Sequence, residues 1–388
     1  MSATIPYGRQ SIDESDLAAV ARVLESDWLT QGPAIPAFEA ALAQRAQAKH
    51  AVAVTNATAA LHIACLAAGL GPGDRLWTTP NTFVASANCA RYCGADVDFV
   101  DIDRHTWCLD ALALERKLAD AEQAGTLPKI VVPVAFAGRS ADMRTIKRLA
   151  ERYRFTVIED ASHAVGATYE GRPVGCGDFA DMTVFSFHPV KIVTTGEGGA
   201  VLTNDAALHA RLSSLRSHGI TRDAAKMEGE SDGPWYYEMV ELGFNYRMTD
   251  IQAALGVSQL ARLDTFLARR RALVRRYATL LDGLPLMLPR SDGLDDSAWH
   301  LYVVRLKLDA MQATHRQVFE RLRQAGIGVN LHYIPVHLQP YYRRLGFAPG
   351  QFPEAEQYYR EAISLPMYAG LTDEAQSIVA DELRRVLT

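Results

Sequence analysis

Short apolar runs alternate with stretches of helical periodicity through the first half of the chain. Residues 50–54 read as a strand, and residues 57–70 as a helix closed by Gly71, Pro72 and Gly73. Residues 75–79, 97–101 and 130–136 read as further strands. A helix over 142–153 leads into the strand 155–160, and apolar runs at 183–187 and 200–203 follow. Strands rich in Val and Ile that alternate with helices predict an α/β fold, with a mostly parallel central sheet covered on both faces. Such sheets bind ligands beyond the carboxyl ends of their strands, where Asp160 and the turn carrying Lys191 both fall.

The pattern changes after residue 248. Thr249 is a good helix cap and Gln252 sits at the capping-box position. Ile251, Leu255, Leu263, Phe266 and Leu267 then predict one long helix to about Leu281. A strand at 300–306, a helix at 316–324 ended by Gly326 and a last helix from Thr372 predict a smaller α+β C-terminal domain. Turn signals at Tyr7, Gly8 and 31–33 mark residues 1–35 as an arm. The expected organisation is therefore arm 1–35, large domain 36–248, linker helix 249–281 and small domain 282–388.

Composition narrows the function classes. The chain has 388 residues, enough for two domains with real cores, and its 48% hydrophobic and 22% charged residues are those of an ordinary soluble protein. A net charge of −5 gives no reason to expect nucleic acid or an anionic membrane as partner. The arginines at 269–271, 275 and 276 lie in a helical pattern and read as a solvated face. The first residues show no signal-peptide pattern, and no apolar run approaches the ~18 residues of a membrane span. The five cysteines, Cys65, Cys89, Cys93, Cys108 and Cys176, are odd in number and lack zinc-ligand spacing. They read as buried thiols of a cytoplasmic protein.

The candidate chemistry lies at the strand ends. Lys191 follows an apolar strand in a turn rich in Ser, His, Pro and Gly, with glycines at 196, 198 and 199 just beyond. Asp160 ends another apolar strand, where an uncompensated carboxylate would be costly to bury. An aspartate and a lysine so placed suit pyridoxal phosphate: the lysine forms the Schiff base, and the carboxylate keeps the pyridine nitrogen protonated. Alternatives stand beside each assignment. Lys191 could be a surface lysine, Asp160 a helix cap or loop acid, and His163 a satisfied core histidine. Thr55–Thr58 offers a helix start suited to phosphate, or Asn56 or Thr58 is merely a cap. Phe83 could stack on a flat ring or belong to the core. Ser186 could donate to phosphate, and Arg247 could meet a carboxylate or diphosphate. The ring-rich stretch 326–342 suits sugar or base binding, or a subunit contact.

Together these residues resemble the DegT-type sugar aminotransferases, fold-type I pyridoxal phosphate enzymes acting on nucleotide-linked keto sugars. The resemblance covers essentially the whole chain. Residues 6–10, 27–33, 185–191, 195–199, 216–220, 233–237 and 332–342 look most like the branch serving pseudaminic acid synthesis. It implies Lys191 as the Schiff-base lysine and Asp160 as the partner of the pyridine nitrogen. It implies Phe83 and His163 on either side of the ring, and Ala57, Thr58 and Ser186 on the phosphate, with Asn245 reaching the neighbouring subunit's cofactor. Tyr7, Asp27, Trp28, Leu29, Thr30, Arg247, Asn330, Leu331, His332 and Tyr333 would lie near the sugar nucleotide. It further implies pyridoxamine phosphate as intermediate, L-glutamate as donor, a UDP-linked 4-keto-6-deoxy sugar as acceptor and a homodimer with shared sites. A D-xylo 4-keto isomer is the alternative acceptor. A non-catalytic regulator is the remote one, and Lys191 and Asp160 together count against it.

Overall fold

The computed structural model describes residues 4–290 and 292–387. Seven strands form the central sheet: β1 (His50–Val54), β2 (Arg75–Thr78), β3 (Asp96–Phe99), β4 (Ile130–Val132), β5 (Thr156–Asp160), β6 (Met182–Ser186) and β7 (Gly199–Thr203). Their spatial order is β1-β7-β6-β5-β4-β2-β3. The ladders from β6 through β5, β4 and β2 to β3 are parallel, and β7 runs antiparallel to both its neighbours. The expected α/β fold with a mostly parallel sheet is therefore present. Around the sheet lie α1 (Glu14–Leu24), α2 (Ala34–Ala46), α3 (Ala57–Ala67), α4 (Ala85–Tyr92), α5 (Ala111–Ala124), α6 (Met143–Tyr153) and α7 (Ala206–Arg216). The buried apolar faces of β2, β4 and β5 meet those of α3, α4, α5 and α6 in one hydrophobic cluster, where all five cysteines but Cys176 are buried.

Three local expectations change. The strand expected over 130–136 stops at Val132, because Pro133 has no N–H to continue a ladder. The chain then turns through Phe136–Gly138, with Ala137 at φ 57°. The long helix expected from Thr249 is two helices, α8 (Asp250–Ala261) and α9 (Leu263–Leu280). Arg262 breaks it at φ −102° and ψ 3°, and its guanidinium reaches Asp13, Asp16 and the Ser11 carbonyl. The arm contains α1, which packs on α8; Asp13 caps it and Asp16 returns the bond to the Asp13 N–H. Thr249 and Gln252 do form the capping box read from the sequence.

Close packing joins α2 to the sheet and to α8. Phe38 of α2 is fully buried, edge-on to Phe187 with ring centroids 5.1 Å apart. A Cβ on Gly256 of α8 would lie 2.5 Å from the Phe38 ring, so only glycine lets these helices approach. Asp250, itself buried, accepts from the N–H groups of Gly32 at 2.8 Å and Ala34 at 2.9 Å and thus caps α2 across space.

A second, antiparallel sheet comprises β8 (Leu286–Met287), β9 (Tyr302–Leu306) and β10 (Ala362–Leu365). It shares an apolar cluster with α9 and the helix Asp373–Leu387, built on Leu273, Tyr277, Val304, Ile363, Val379 and Leu383. Ile5 bridges to Ile327, and the Tyr7 carbonyl accepts from Met367 N–H at 2.9 Å, so the arm carries Tyr7 to where the two sheets meet.

Glu159 faces away from Asp160 on β5 and is buried, accepting from Ser140 Oγ at 2.7 Å. Burial pushes its carboxyl up to about 7, with Asp160 adding to the effect. The folded value lies above the ordinary 4.5, so stability falls as pH rises between them and then levels off. Glu159→Gln keeps the acceptor and removes the charge. It is expected to raise stability at pH 8 by up to about 3 kcal/mol and to gain almost nothing near pH 4.5. Urea unfolding at both pH values checks this; equal gains at both would contradict it.

Candidate active site

The carboxyl ends of β1, β5 and β6 open onto a cavity of about 1070 Å³, closed on the far side by Tyr7 and the loop 330–333. After β1, Asn56 takes an extended conformation and its Oδ1 accepts from Ala59 N–H at 2.8 Å, starting α3. Asn56 is thus the cap. Among the described residues, the N–H groups of Ala57 and Thr58 have no partner, and both residues line the cavity. Gly199 of β7 backs them: a Cβ there would sit 2.6 Å from Ala57 N. Ser186, buried at the end of β6, adds a hydroxyl to the same end of the cavity. Free helix N-terminal amides, a positive dipole end and small side chains suit a phosphate.

Asp160 is 5% exposed. Its Oδ2 accepts from Ser86 Oγ at 2.6 Å, and its Oδ1 from Ser162 Oγ at 2.6 Å and Ser162 N–H at 3.1 Å. Thr82 Oγ1, 2.7 Å from Ser86 Oγ, extends the chain of hydroxyls. Ser86 must give its proton to the carboxylate, so Thr82 donates to Ser86. Asp160 has no cationic partner within ion-pair distance among the described residues. A buried carboxylate held by three donors but left without a counter-charge fits a protonated pyridine nitrogen.

Lys191 faces the same cavity, its turn closed by its own N–H to the His188 carbonyl at 2.8 Å. Enclosure lowers its amine to about 8, with the Asp160 charge opposing. An amine with that value is partly uncharged near neutral pH, as a nucleophile requires. Reconstitution of the cofactor-free protein with pyridoxal phosphate is accordingly expected to quicken about tenfold per pH unit below 8 and to level off above it. Stopped-flow absorbance measures this; a rate flat from pH 6 to 9 would contradict it.

His163, His300 and His332 are all buried beside the cavity. Burial holds each imidazole neutral, and the neighbouring Lys191 charge adds to the effect; His332 is lowered to about 3. His332 Nδ1 lies 2.8 Å from Ser364 Oγ, and Tyr7 stands 5.6 Å from the His332 ring. Phe83 is 57% exposed at the cavity lip, so it is no core residue and its face is open to a flat ring.

The cavity therefore brings together Lys191, Asp160, Ala57, Thr58, Phe83, His163, Ser186, Tyr7, Asn330, Leu331, His332 and Tyr333. It does not include Asp27, Trp28, Leu29, Thr30, Asn245 or Arg247. Thr30 pairs with Thr249, Asn245 with Ser217 and Arg247 with Val54, while Trp28 and Leu29 stand exposed. Ser86, Ser162 and His300 were not singled out in the sequence. Ser162 lies two residues past the end of β5 and Ser86 in the first turn of α4, and neither position carries a signal of its own in the sequence. In the sequence His300 marks only the start of a strand.

This fold and site define a pyridoxal phosphate-dependent enzyme. The chain belongs to the DegT/DnrJ/EryC1/StrS aminotransferase family, whose model matches residues 10–384. It is 38% identical to the spore coat polysaccharide biosynthesis protein SpsC of Bacillus subtilis, over 99% of this chain and 97% of that protein. Its structure matches Helicobacter pylori PseC, an aminotransferase involved in the biosynthesis of pseudoaminic acid. That match has a TM-score of 0.89 and 31% identity, covering 99% of each chain. The pyridoxal phosphate form of the putative sugar aminotransferase Spr1654 of Streptococcus pneumoniae matches with a TM-score of 0.87 and 29% identity, over 99% of this chain and 100% of that one. The protein is a sugar aminotransferase with pyridoxal phosphate as cofactor.

Proposed function

We propose that the protein transfers an amino group from L-glutamate to C4 of UDP-2-acetamido-2,6-dideoxy-β-L-arabino-hexos-4-ulose. The product is UDP-4-amino-4,6-dideoxy-N-acetyl-β-L-altrosamine, a precursor of pseudaminic acid, formed in the cytoplasm. The observation that carries this reading is the full-length likeness to Helicobacter pylori PseC. A cavity of about 1070 Å³ is also roomy enough for cofactor and sugar together.

Pyridoxal phosphate, when bound, supplies an aldehyde that can carry an amine and a ring that accepts an electron pair. Ala57, Thr58 and Ser186 hold its phosphate, and Asp160 keeps its ring nitrogen protonated. Phe83 and His163, both lining the cavity, would hold the ring. Lys191 Nζ, once free, takes the proton from the donor's α-carbon and later gives one to C4 of the sugar. Its delivery from one side of the cavity sets the configuration of the new amine. Two half-reactions on one site predict ping-pong kinetics.

The site is read as shared within a homodimer. Trp28, Leu29, Asn245 and Arg247 lie outside their own cavity, and Trp235, Tyr237, Met239 and Leu242, shortly before Asn245 in the chain, form an exposed apolar stretch. A second copy would cover that stretch and bring the four residues to a cavity. The organisation into arm 1–35, large domain 36–248, linker 249–281 and small domain 282–388 belongs to the same proposal.

The test offers the purified protein, loaded and supplied with L-glutamate, the L-arabino or the D-xylo UDP-4-keto sugar, with product configuration read by NMR. An L-altro 4-amine formed mainly from the first supports the reading. Preference for the D-xylo sugar, or for another keto nucleotide sugar, supports the alternative instead; the likeness to SpsC, a spore coat polysaccharide protein, favours keeping that second reading.

A further inference from the structure

His163 makes two hydrogen bonds, and one of them fixes the direction of the other. The Ala137 N–H lies 3.3 Å from His163 Nδ1. A backbone N–H can only donate, so Nδ1 carries no proton. The imidazole is neutral: it is buried, and the neighbouring Lys191 charge opposes a second proton. A neutral imidazole with bare Nδ1 carries its proton on Nε2. His163 Nε2 stands 3.2 Å from the Tyr333 hydroxyl oxygen. That oxygen must therefore accept, and the Tyr333 proton is released from the bond.

The packing around His163 holds this arrangement. Its ring lies 4.3 Å from that of His300 and 6.0 Å from that of Phe136, centroid to centroid. The turn that supplies Ala137 N–H is itself pinned, because Gly138 O accepts from Ala298 N–H at 3.0 Å. A Cβ on Gly138 would approach Trp299 N to 2.6 Å, so the contact requires glycine at that φ of 106°. Buried Arg270 donates to the carbonyls of Trp299 at 3.0 Å and His300 at 3.2 Å, anchoring the other side. Among the described residues the Tyr333 hydroxyl has no partner besides His163, and Tyr333 lines the cavity.

We infer that Tyr333 is a fixed hydrogen-bond donor aimed into the cavity, its proton turned there by the Nε2–H tautomer of His163, and that it serves an electron-rich oxygen of the bound ligands. Two oxygens share that chemistry, the phenolic oxygen of the cofactor and the C4 keto oxygen of the sugar. The assignment rests on the proposed reaction for the choice between these oxygens, but not for the direction of the bond.

The test has three arms. Long-range ¹H–¹⁵N correlation on cofactor-free protein labelled at histidine, with His163→Asn for assignment, reads the tautomer without any variant of Tyr333. Tyr333→Phe is then loaded and titrated by visible absorbance. A donor to the phenolic oxygen predicts that the pH midpoint of the lysine-linked band rises by about one unit, a tenfold change in proton affinity. Single-turnover rates of the two half-reactions form the third arm. A donor to the keto oxygen predicts a fall of about 10²-fold in the sugar half alone. An Nε2–H tautomer with a change in either later arm supports the assignment. An Nδ1–H tautomer overturns it, as does a Tyr333→Phe protein unchanged in both later arms. Should the loaded protein aminate no sugar, the proposed function fails, while the tautomer and the band midpoint still decide this inference.

Discussion

Lys191→Ala is expected to lower turnover by roughly 10⁴-fold or more while leaving the fold intact. The lysine does two jobs with one atom. Its amine, lowered to about 8 by enclosure in the cavity, is the group that can carry the cofactor. In the proposed reaction the same amine is the acid and base for both half-reactions, and no other lysine lines the cavity among the described residues. His163, His300 and His332 cannot replace it at neutral pH, since each is held neutral and is already packed or hydrogen-bonded. Among the described residues the Lys191 side chain has no hydrogen bond or ion pair to lose, so thermal unfolding should shift little. Pyridoxamine phosphate should still bind, because Ala57, Thr58, Ser186 and Asp160 are untouched. Circular dichroism, the missing visible band of the lysine-linked cofactor and single-turnover rates check these points. Residual turnover within tenfold of the parent would remove Lys191 from its assigned role.

The sheet and the positions of Lys191 and Asp160 could be read from the chain because both depend on local patterns. Apolar runs of Val and Ile end abruptly on polar residues at Asp160 and Ser186, and period-2 and period-3.6 segments alternate between them. The break at Arg262 is not legible, since apolar spacing continues through it; the partners of Arg262 there are Asp13 and Asp16 at the start of α1, nearly 250 residues away in sequence. Helix α1 was missed although Asp13 and Asp16 stand at capping-box spacing, because the turn signals on either side dominated the reading of the arm. Of the serines that hold Asp160, Ser86 lies in the first turn of α4 and Ser162 in the turn after β5, and no sequence pattern links residue 86 to residue 160. The residues that fail to line the cavity, from Asp27 to Thr30 with Asn245 and Arg247, are those for which one copy of the chain gives no local test.

Asp160→Asn should slow both half-reactions by about 10³-fold, the range expected when a preorganised electrostatic partner is lost. The carboxylate sits 5% exposed and is fixed by Ser86 and Ser162, so its charge is placed in advance and is weakly screened. Asparagine has nearly the same shape and can still accept from Ser162 N–H. It brings no charge to hold a proton on the ring nitrogen, and an unprotonated ring is a poor electron acceptor. Its amide also meets a donor at Ser86 where an acceptor stood, although rotation of the Ser86 hydroxyl toward Thr82 relieves that clash. A structural role for Asp160 would predict the same loss of rate, so rate alone does not decide. Loading the variant with the N-methylated cofactor does. That analogue keeps its ring positive without help from the protein, and it should restore at least tenfold of the lost rate in Asp160→Asn while giving the parent protein no gain. If the methylated cofactor binds the variant as tightly as the natural one yet restores nothing, Asp160 acts by shaping the cavity through Ser86 and Ser162, and not by its charge.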